Sequence, residues 1–292
     1  MTNPVISQSR PVGTVAALAL VALLAGGCGH ADAPSAPSTS ATIDTFPSGD
    51  IRLAYRLDLP TGTGPFPAIV MGHGSGLATR HQLGSLAQRF VDAGFAVLRY
   101  DKRGVGDSGG VYEIAGNVAN SERMFPILAG DMLAGVEFLK TRRDVDRARI
   151  GLFGVSQAGW IIPLAASRSS DVKFMILVVG PTVSVGVENY YSSLVENSPS
   201  ASLDDAYERS RVYTGPHGYD PRRTLESLST PGLWLLGGAD RSIPTPLTVE
   251  VLQSLQDSGR PYRWVVYPGA DHNLGVDFMS DATRFLEPWS TR

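Results

Sequence analysis

From about Thr42 onward the chain alternates short, almost wholly apolar runs with amphipathic segments, and this alternation limits the fold more than any other feature. "FPAIVMG", "FAVLRYD", "RIGLFGV", "KFMILVVG", "LWLLGGAD" and "YRWVVYPGAD" are mostly continuous apolar runs, as expected of parallel strands covered on both faces. Ahead of them, "ATIDTF" and "IRLAYRLDL" flank the turn sequence "PSGD" and read as an antiparallel pair opening the sheet. Helices fall between the runs. In Arg80 to Asp92 the residues Leu83, Leu86, Ala87, Phe90 and Val91 form one stripe, with Gly94 as the stop. In Glu122 to Lys140 the stripe is Phe125, Leu128, Met132, Val136 and Leu139. The pattern predicts an α/β fold with a mostly parallel, doubly wound sheet of eight strands and helices on both faces. One connection breaks the rhythm: about 50 residues separate the strand ending at Gly180 from the one starting near Gly232, far beyond the usual few. Residues 181–231, with Tyr190, Tyr191, Tyr207, Tyr213 and Tyr219, are expected to fold as a small helical lid, since long loops in compact domains are often functional.

With 292 residues, 43% hydrophobic and 18% charged, the chain can bury one large core, and residues 42–292 are expected to form it. A formal net charge of −3 without Lys/Arg runs gives no electrostatic footprint for nucleic acid. The start of the chain is different. Arg10 precedes an uncharged run, "VGTVAALALVALLA", too short to cross a hydrocarbon layer of about 30 Å as a helix, and it reads as the apolar region of a signal peptide, residues 1–27. "LLAGGC" resembles a bacterial lipobox, which implies lipid attachment at Cys28. That residue is the only cysteine, so no disulfide can form within the chain. Residues 28–41, rich in Pro, Ser and Ala, have nothing to bury and read as a flexible tether. The expectation is an exported protein of the bacterial cell envelope, held to the membrane by an N-terminal lipid.

Two serines compete for a chemical role. "GDSGG" matches Gly-x-Ser-x-Gly at Ser108, whereas "GVSQAGW" around Ser156 carries Ala158 in place of the second glycine. An activated serine on a parallel sheet sits on a sharp turn between strand and helix, which lifts Oγ clear and aims the helix N-terminus at the reacting oxygen. Ser156 has that setting, with Ile150 to Val155 before it and "QAGWIIPLAASR" after it, although Pro163 removes a helix N–H. Ser108 lies well past its strand in a stretch too rich in glycine to start a helix. Gly104, Gly106 and Gly109 also spell a dinucleotide-like spacing, but neither in the first βα turn nor before a helix.

A serine hydroxyl needs a neutral imidazole to take its proton, and the imidazole needs a carboxylate to fix its tautomer. Of the five histidines, His30 is in the tether, His81 begins a helix, His217 is in the lid and His73 sits in "GHGSG". His272, in "YPGADHNLG" after the last strand, can reach the carboxyl edge of the sheet. Asp240 ends "LWLLGGAD" on the same edge, while Asp271 adjoins His272 in sequence and its side chain should diverge. The oxyanion donors are expected at the backbone N–H of Gln157 and in "HGSG", at Ser75.

The ordered pieces "MGHGSG", "RYDKRGVGDSGG", "GLFGVSQAGW", "LGGAD" and "GADHN" resemble the serine α/β-hydrolases, especially bacterial esterase-like members, over residues 69 to 273. The resemblance implies the α/β-hydrolase fold and hydrolysis of a small carboxylic ester through an acyl-enzyme, with Ser156, Asp240 and His272 as the triad. It also implies that Asp101 and Arg103 brace neighbouring loops while Ser108 carries no chemistry. No metal or organic cofactor is expected, and the sequence has no HExxH, CxxC or phosphate loop. Two other functions remain open. One is an amide-cleaving serine peptidase, for which lid carboxylates among Glu188, Glu196, Asp204, Asp205 and Glu208 would hold a substrate ammonium. The other is a non-catalytic surface lipoprotein.

Overall fold

The computed structural model describes residues 43–113, 117–196, 198 and 200–290. The expected signal peptide, Cys28 and the tether lie outside the described residues. Eight strands form one sheet: β1 Thr45–Ser48, β2 Ile51–Asp58, β3 Phe66–Gly72, β4 Ala96–Tyr100, β5 Val145–Val155, β6 Val172–Val178, β7 Gly232–Gly237 and β8 Tyr262–Tyr267. Their order is β1-β2-β4-β3-β5-β6-β7-β8; the β1/β2 and β2/β4 pairs are antiparallel and the remaining neighbours, β4 through β8, are parallel. This is the α/β-hydrolase fold.

The apolar runs become buried strands because helices cover both faces. Every residue of β3, β4 and β7 is buried, while β8, at the far edge, is only partly so. Alternate side chains go to opposite faces. Val70, Leu98, Leu152, Leu177 and Trp234 join one core with Phe125, Leu128 and Met132 of α2 (Val118–Lys140) and Ile161 and Ile162 of α3 (Ala158–Ala166). Ile69, Met71, Val97, Phe153, Ile176 and Leu235 join the other with Phe90 of α1 (Gly84–Asp92).

Two helix starts differ from the sequence expectation. Helix α1 begins at Gly84 rather than Arg80, because Leu83 takes a left-handed backbone with φ 59°. Helix α2 begins earlier than Glu122, since the Asn117 side chain accepts the Asn120 N–H at 2.8 Å and caps it. Pro163 stays inside α3.

Within residues 181–231 the chain forms α4 (Val185–Val195), α5 (Leu203–Arg211) and α6 (Arg222–Ser227). Helices α4 and α5 share a small core in which the Tyr191 and Tyr207 rings stack, their centroids 5.1 Å apart. The chain passes from β3 outward to β4, then returns across β3 to β5. The loops after β3 and β5 therefore diverge at a topological switch point, where open α/β sheets bind ligands.

Candidate active site

At that switch point β5 ends at Val155 and α3 begins at Ala158, leaving a turn of two residues. Ser156 occupies it with φ 51°, a backbone region unfavourable for a side chain and held only where the surroundings enforce it. Here they do. The Ser156 N–H donates to Val178 O of β6 at 2.9 Å, and its carbonyl accepts the Gly159 N–H at 2.8 Å. Small residues are needed at particular places. A Cβ on Gly154 would overlap the Ala158 methyl, and one on Gly159 would lie 2.7 Å from the Gly180 Cα. The glycine that this turn requires is thus Gly159, where α3 crosses the loop after β6, and Ala158 is accommodated because Gly154 lacks a side chain.

Asp240 follows β7 and His272 follows β8. His272 Nε2 lies 3.0 Å from Ser156 Oγ, and Nδ1 lies 2.9 and 3.1 Å from the two Asp240 carboxylate oxygens. Asp240 is fully buried, and its Oδ1 accepts the backbone N–H groups of Ser242 and Ile243 at 2.7 and 2.8 Å. Those donors fix the carboxylate while it orients the imidazole. Tyr191 of α4 donates to the Asp240 carbonyl at 2.7 Å, so the segment after β6 also buttresses the acid. Asp271 is exposed and turned to its own loop, its Oδ1 accepting the Asn273 N–H at 2.9 Å.

The loop after β3 lies against the serine: a Cβ on Gly74 would be 3.5 Å from Ser156 Cβ. The backbone N–H groups of Ser75 and Gln157 have no protein acceptor among the described residues, which leaves both available to a ligand. Of the other histidines, His73 is buried edge-on against Tyr100. Burial first, then the neighbouring Lys102 charge, holds its imidazole down to about 4, so it is neutral near pH 7. His81 is exposed, and His217 Nδ1 is 2.8 Å from Ser184 Oγ, the cap of α4.

Ser108 is buried away from these groups. Its Oγ donates to Asp101 O at 2.8 Å and accepts the Ala54 N–H at 2.9 Å. Asp101 accepts the Arg80 and Asp107 N–H groups at 2.5 and 2.9 Å and pairs with the Arg80 guanidinium, while Arg103 makes a two-pronged contact to Asp131 at 2.7 and 2.6 Å. Asp101 thus ties loops together, as expected, whereas Arg103 braces its loop against helix α2, which carries Asp131, rather than against another loop.

Two buried groups near the site were not singled out by the sequence. Lys102 Nζ contacts the Gly74 and Gly76 carbonyls and the Gln157 side chain, and burial draws its ammonium down to about 7. Glu188, on α4 within residues 181–231, is the other: burial, then the charges of Glu196 and Asp240, pushes it up to about 8. The turn motif signalled neither, because each burial results from loops distant in sequence coming together.

The sequence pattern of the prolyl oligopeptidase family matches residues 81–290. The chain belongs to the prolyl oligopeptidase family. It is a serine hydrolase of the α/β-hydrolase superfamily. This hydrolase is 26% identical over 288 residues to a putative carboxymethylenebutenolidase of Methylorubrum extorquens, covering 91% of this chain and 89% of the relative. Its fold is similar to that of an esterase from Pyrococcus furiosus, at a TM-score of 0.63 and 17% identity over 86% of this chain and 91% of that one. It is similar to an acylaminoacyl peptidase of Pyrococcus horikoshii at a TM-score of 0.63 and 18% identity, covering 86% of this chain and 42% of the peptidase.

Proposed function

We propose that this hydrolase cleaves carboxylic esters of small molecules through an acyl-enzyme. The observation that carries the reading is the continuous hydrogen-bonded path from Asp240 through His272 to Ser156 Oγ, with 2.9 and 3.0 Å links. In the proposed cycle His272 Nε2 takes the Ser156 proton as Oγ attacks the ester carbonyl, and Asp240 stabilises the imidazolium. The oxyanion accepts hydrogen bonds from the Ser75 and Gln157 N–H groups. His272 then returns the proton to the departing alcohol. Water, activated by the same imidazole, attacks the acyl-enzyme and frees Ser156.

The lid carboxylates favour esters over peptides with a free amino terminus. Glu188 retains its proton near neutrality and offers an ammonium no charge. Glu196 is exposed, and Asp205 and Glu208 are largely solvated and already face Arg209 and Arg211. The relative named as a putative carboxymethylenebutenolidase carries the name of an unsaturated lactone, itself a cyclic ester. The test is fluorophosphonate labelling of wild type and Ser156→Ala, with turnover on p-nitrophenyl esters and aminoacyl anilides. Labelling and ester turnover should vanish in Ser156→Ala. Labelling that survives there removes the nucleophile, and anilides turned over faster than esters move the activity to peptides.

Export and lipid attachment at Cys28 are part of the same proposal and rest on "LLAGGC" and the apolar run before it. Labelled palmitate should enter the wild-type chain in cells and not Cys28→Ala; incorporation that survives the substitution removes the anchor.

A further inference from the structure

Lys102 follows β4 in "DKRGVGDSGG" and is 4% exposed. A lysine that deep ordinarily has an acidic partner. Among the described residues no carboxylate lies within ion-pair distance of Lys102, and its Nζ is spent instead on the walls of the oxyanion site. It donates to Gly74 O, to Gly76 O at 3.1 Å and to Gln157 Oε1 at 3.2 Å, with Tyr112 Oη also 3.2 Å away. The Tyr112 hydroxyl in turn donates to the carbonyl between them, Ser75 O, at 2.6 Å. Three successive carbonyls of the loop after β3 are thus drawn to one side.

That has a directional consequence. In a trans peptide the C=O and the following N–H point opposite ways. With Gly74 O held by Lys102, the Ser75 N–H is turned away from the amino group, in a loop that packs on Ser156. The other donor belongs to Gln157, whose side chain is held by the same nitrogen. We propose that Lys102 is the positioning residue of the oxyanion hole, fixing the Ser75 and Gln157 N–H donors relative to each other by holding Gly74 O, Gly76 O and Gln157 Oε1 together, with Tyr112 as its second anchor. The assignment rests on the acyl-enzyme reading above. With its Nζ engaged by Gly74 O, Gly76 O and Gln157 Oε1, Lys102 acts by preorganising donors, which makes the hole complementary to the oxyanion before charge develops.

The test compares wild type, Lys102→Met and Tyr112→Phe on a p-nitrophenyl ester, and measures inhibition by an alkyl boronic acid, whose adduct with Ser156 Oγ places an anionic oxygen in the hole. Loss of a whole oxyanion donor costs ~100- to 1,000-fold in kcat, so misaligned donors in Lys102→Met should lower kcat by ~10-fold or more. KM should change by less than about twofold, because the ground-state carbonyl barely uses the hole. Boronate affinity should fall in parallel with kcat, and Tyr112→Phe should shift both the same way by less. A folded Lys102→Met with wild-type kcat and boronate affinity overturns the proposal. Should Lys102→Met fail to fold by circular dichroism, Tyr112→Phe decides, and wild-type values for both quantities there overturn it equally. A wild type that does not react with fluorophosphonate would instead remove the acyl-enzyme reading beneath it.

Discussion

The hydroxyls of Ser108 and Ser156 are chemically identical, and their partners separate them. Ser108 Oγ has both its donor and an acceptor lone pair occupied by backbone, through Asp101 O at 2.8 Å and the Ala54 N–H at 2.9 Å. The same two residues also meet directly, the Asp101 N–H donating to Ala54 O at 2.8 Å, so Ser108 completes a closed join between β2 and the loop after β4. Ser156 Oγ faces an imidazole instead. Ser108→Ala should therefore leave kcat on esters within about twofold, since no reacting atom changes. It strips a buried N–H and a buried carbonyl of a partner, which costs about 1–3 kcal/mol. For a chain of this size that is a fall of several degrees in Tm, roughly 2–4 °C per kcal/mol. Thermal unfolding and ester turnover on the same preparation check both halves. Lost turnover at unchanged Tm would place Ser108 in the chemistry.

Among the elements, the strands were the most legible in the sequence. Burial between helices imposes unbroken apolar runs on the central strands, and β3 to β7 overlap the runs expected for them; β1 is displaced, Thr45–Ser48 taking in Pro47 and Ser48 of the expected turn "PSGD", because an exposed antiparallel edge carries no such run. The spacing of chemistry along the sheet edge was legible for the same reason: once β5, β7 and β8 are placed, Ser156, Asp240 and His272 follow their ends and converge. Helix starts were less so. Periodicity finds the face a helix buries, not the residue where its backbone turns, so the Asn117 cap and the left-handed Leu83 moved two boundaries. The nucleophile turn shows the limit of a written motif. The pattern asks for glycine two residues after the serine, but the close approach is at Gly159, against Gly180, and at Gly154, against Ala158. A motif records sequence spacing, whereas the steric demand comes from the loop after β6. The roles of Lys102 and the Gln157 side chain were illegible for a related reason, because their contacts join the loops after β3 and β4 to the start of α3.

At the scale of the whole molecule, the cost of burying titratable groups becomes a dependence of stability on pH. Glu188 is raised from 4.5 to about 8, so between those values the unfolded chain has released a proton that the folded chain keeps, and stability falls as pH rises. His73 acts oppositely over pH 4 to 6.5: it is lowered from 6.5 to about 4, and there the unfolded chain binds a proton that the folded one refuses. Lys102, lowered from 10.5 to about 7, adds a rise in stability from 7 to 10.5. These windows overlap, so the wild-type curve alone mixes them. The difference between Glu188→Gln and wild type isolates one of them, since glutamine keeps the shape and the neutral state without a proton to lose. That difference should be small and constant below pH 4.5, grow in favour of Glu188→Gln from there to pH 8, and level off above. A shift of this size corresponds to on the order of 5 kcal/mol at the plateau, at ~1.4 kcal/mol per pH unit of separation. Urea unfolding of both proteins at intervals from pH 4 to 9 measures it. A difference that stays flat across that range would mean that Glu188 ionises alike in the folded and unfolded chains. Glu188 would then present a charge beside Asp240 at neutral pH, and the proposed preference against substrates with a free ammonium would fall with it.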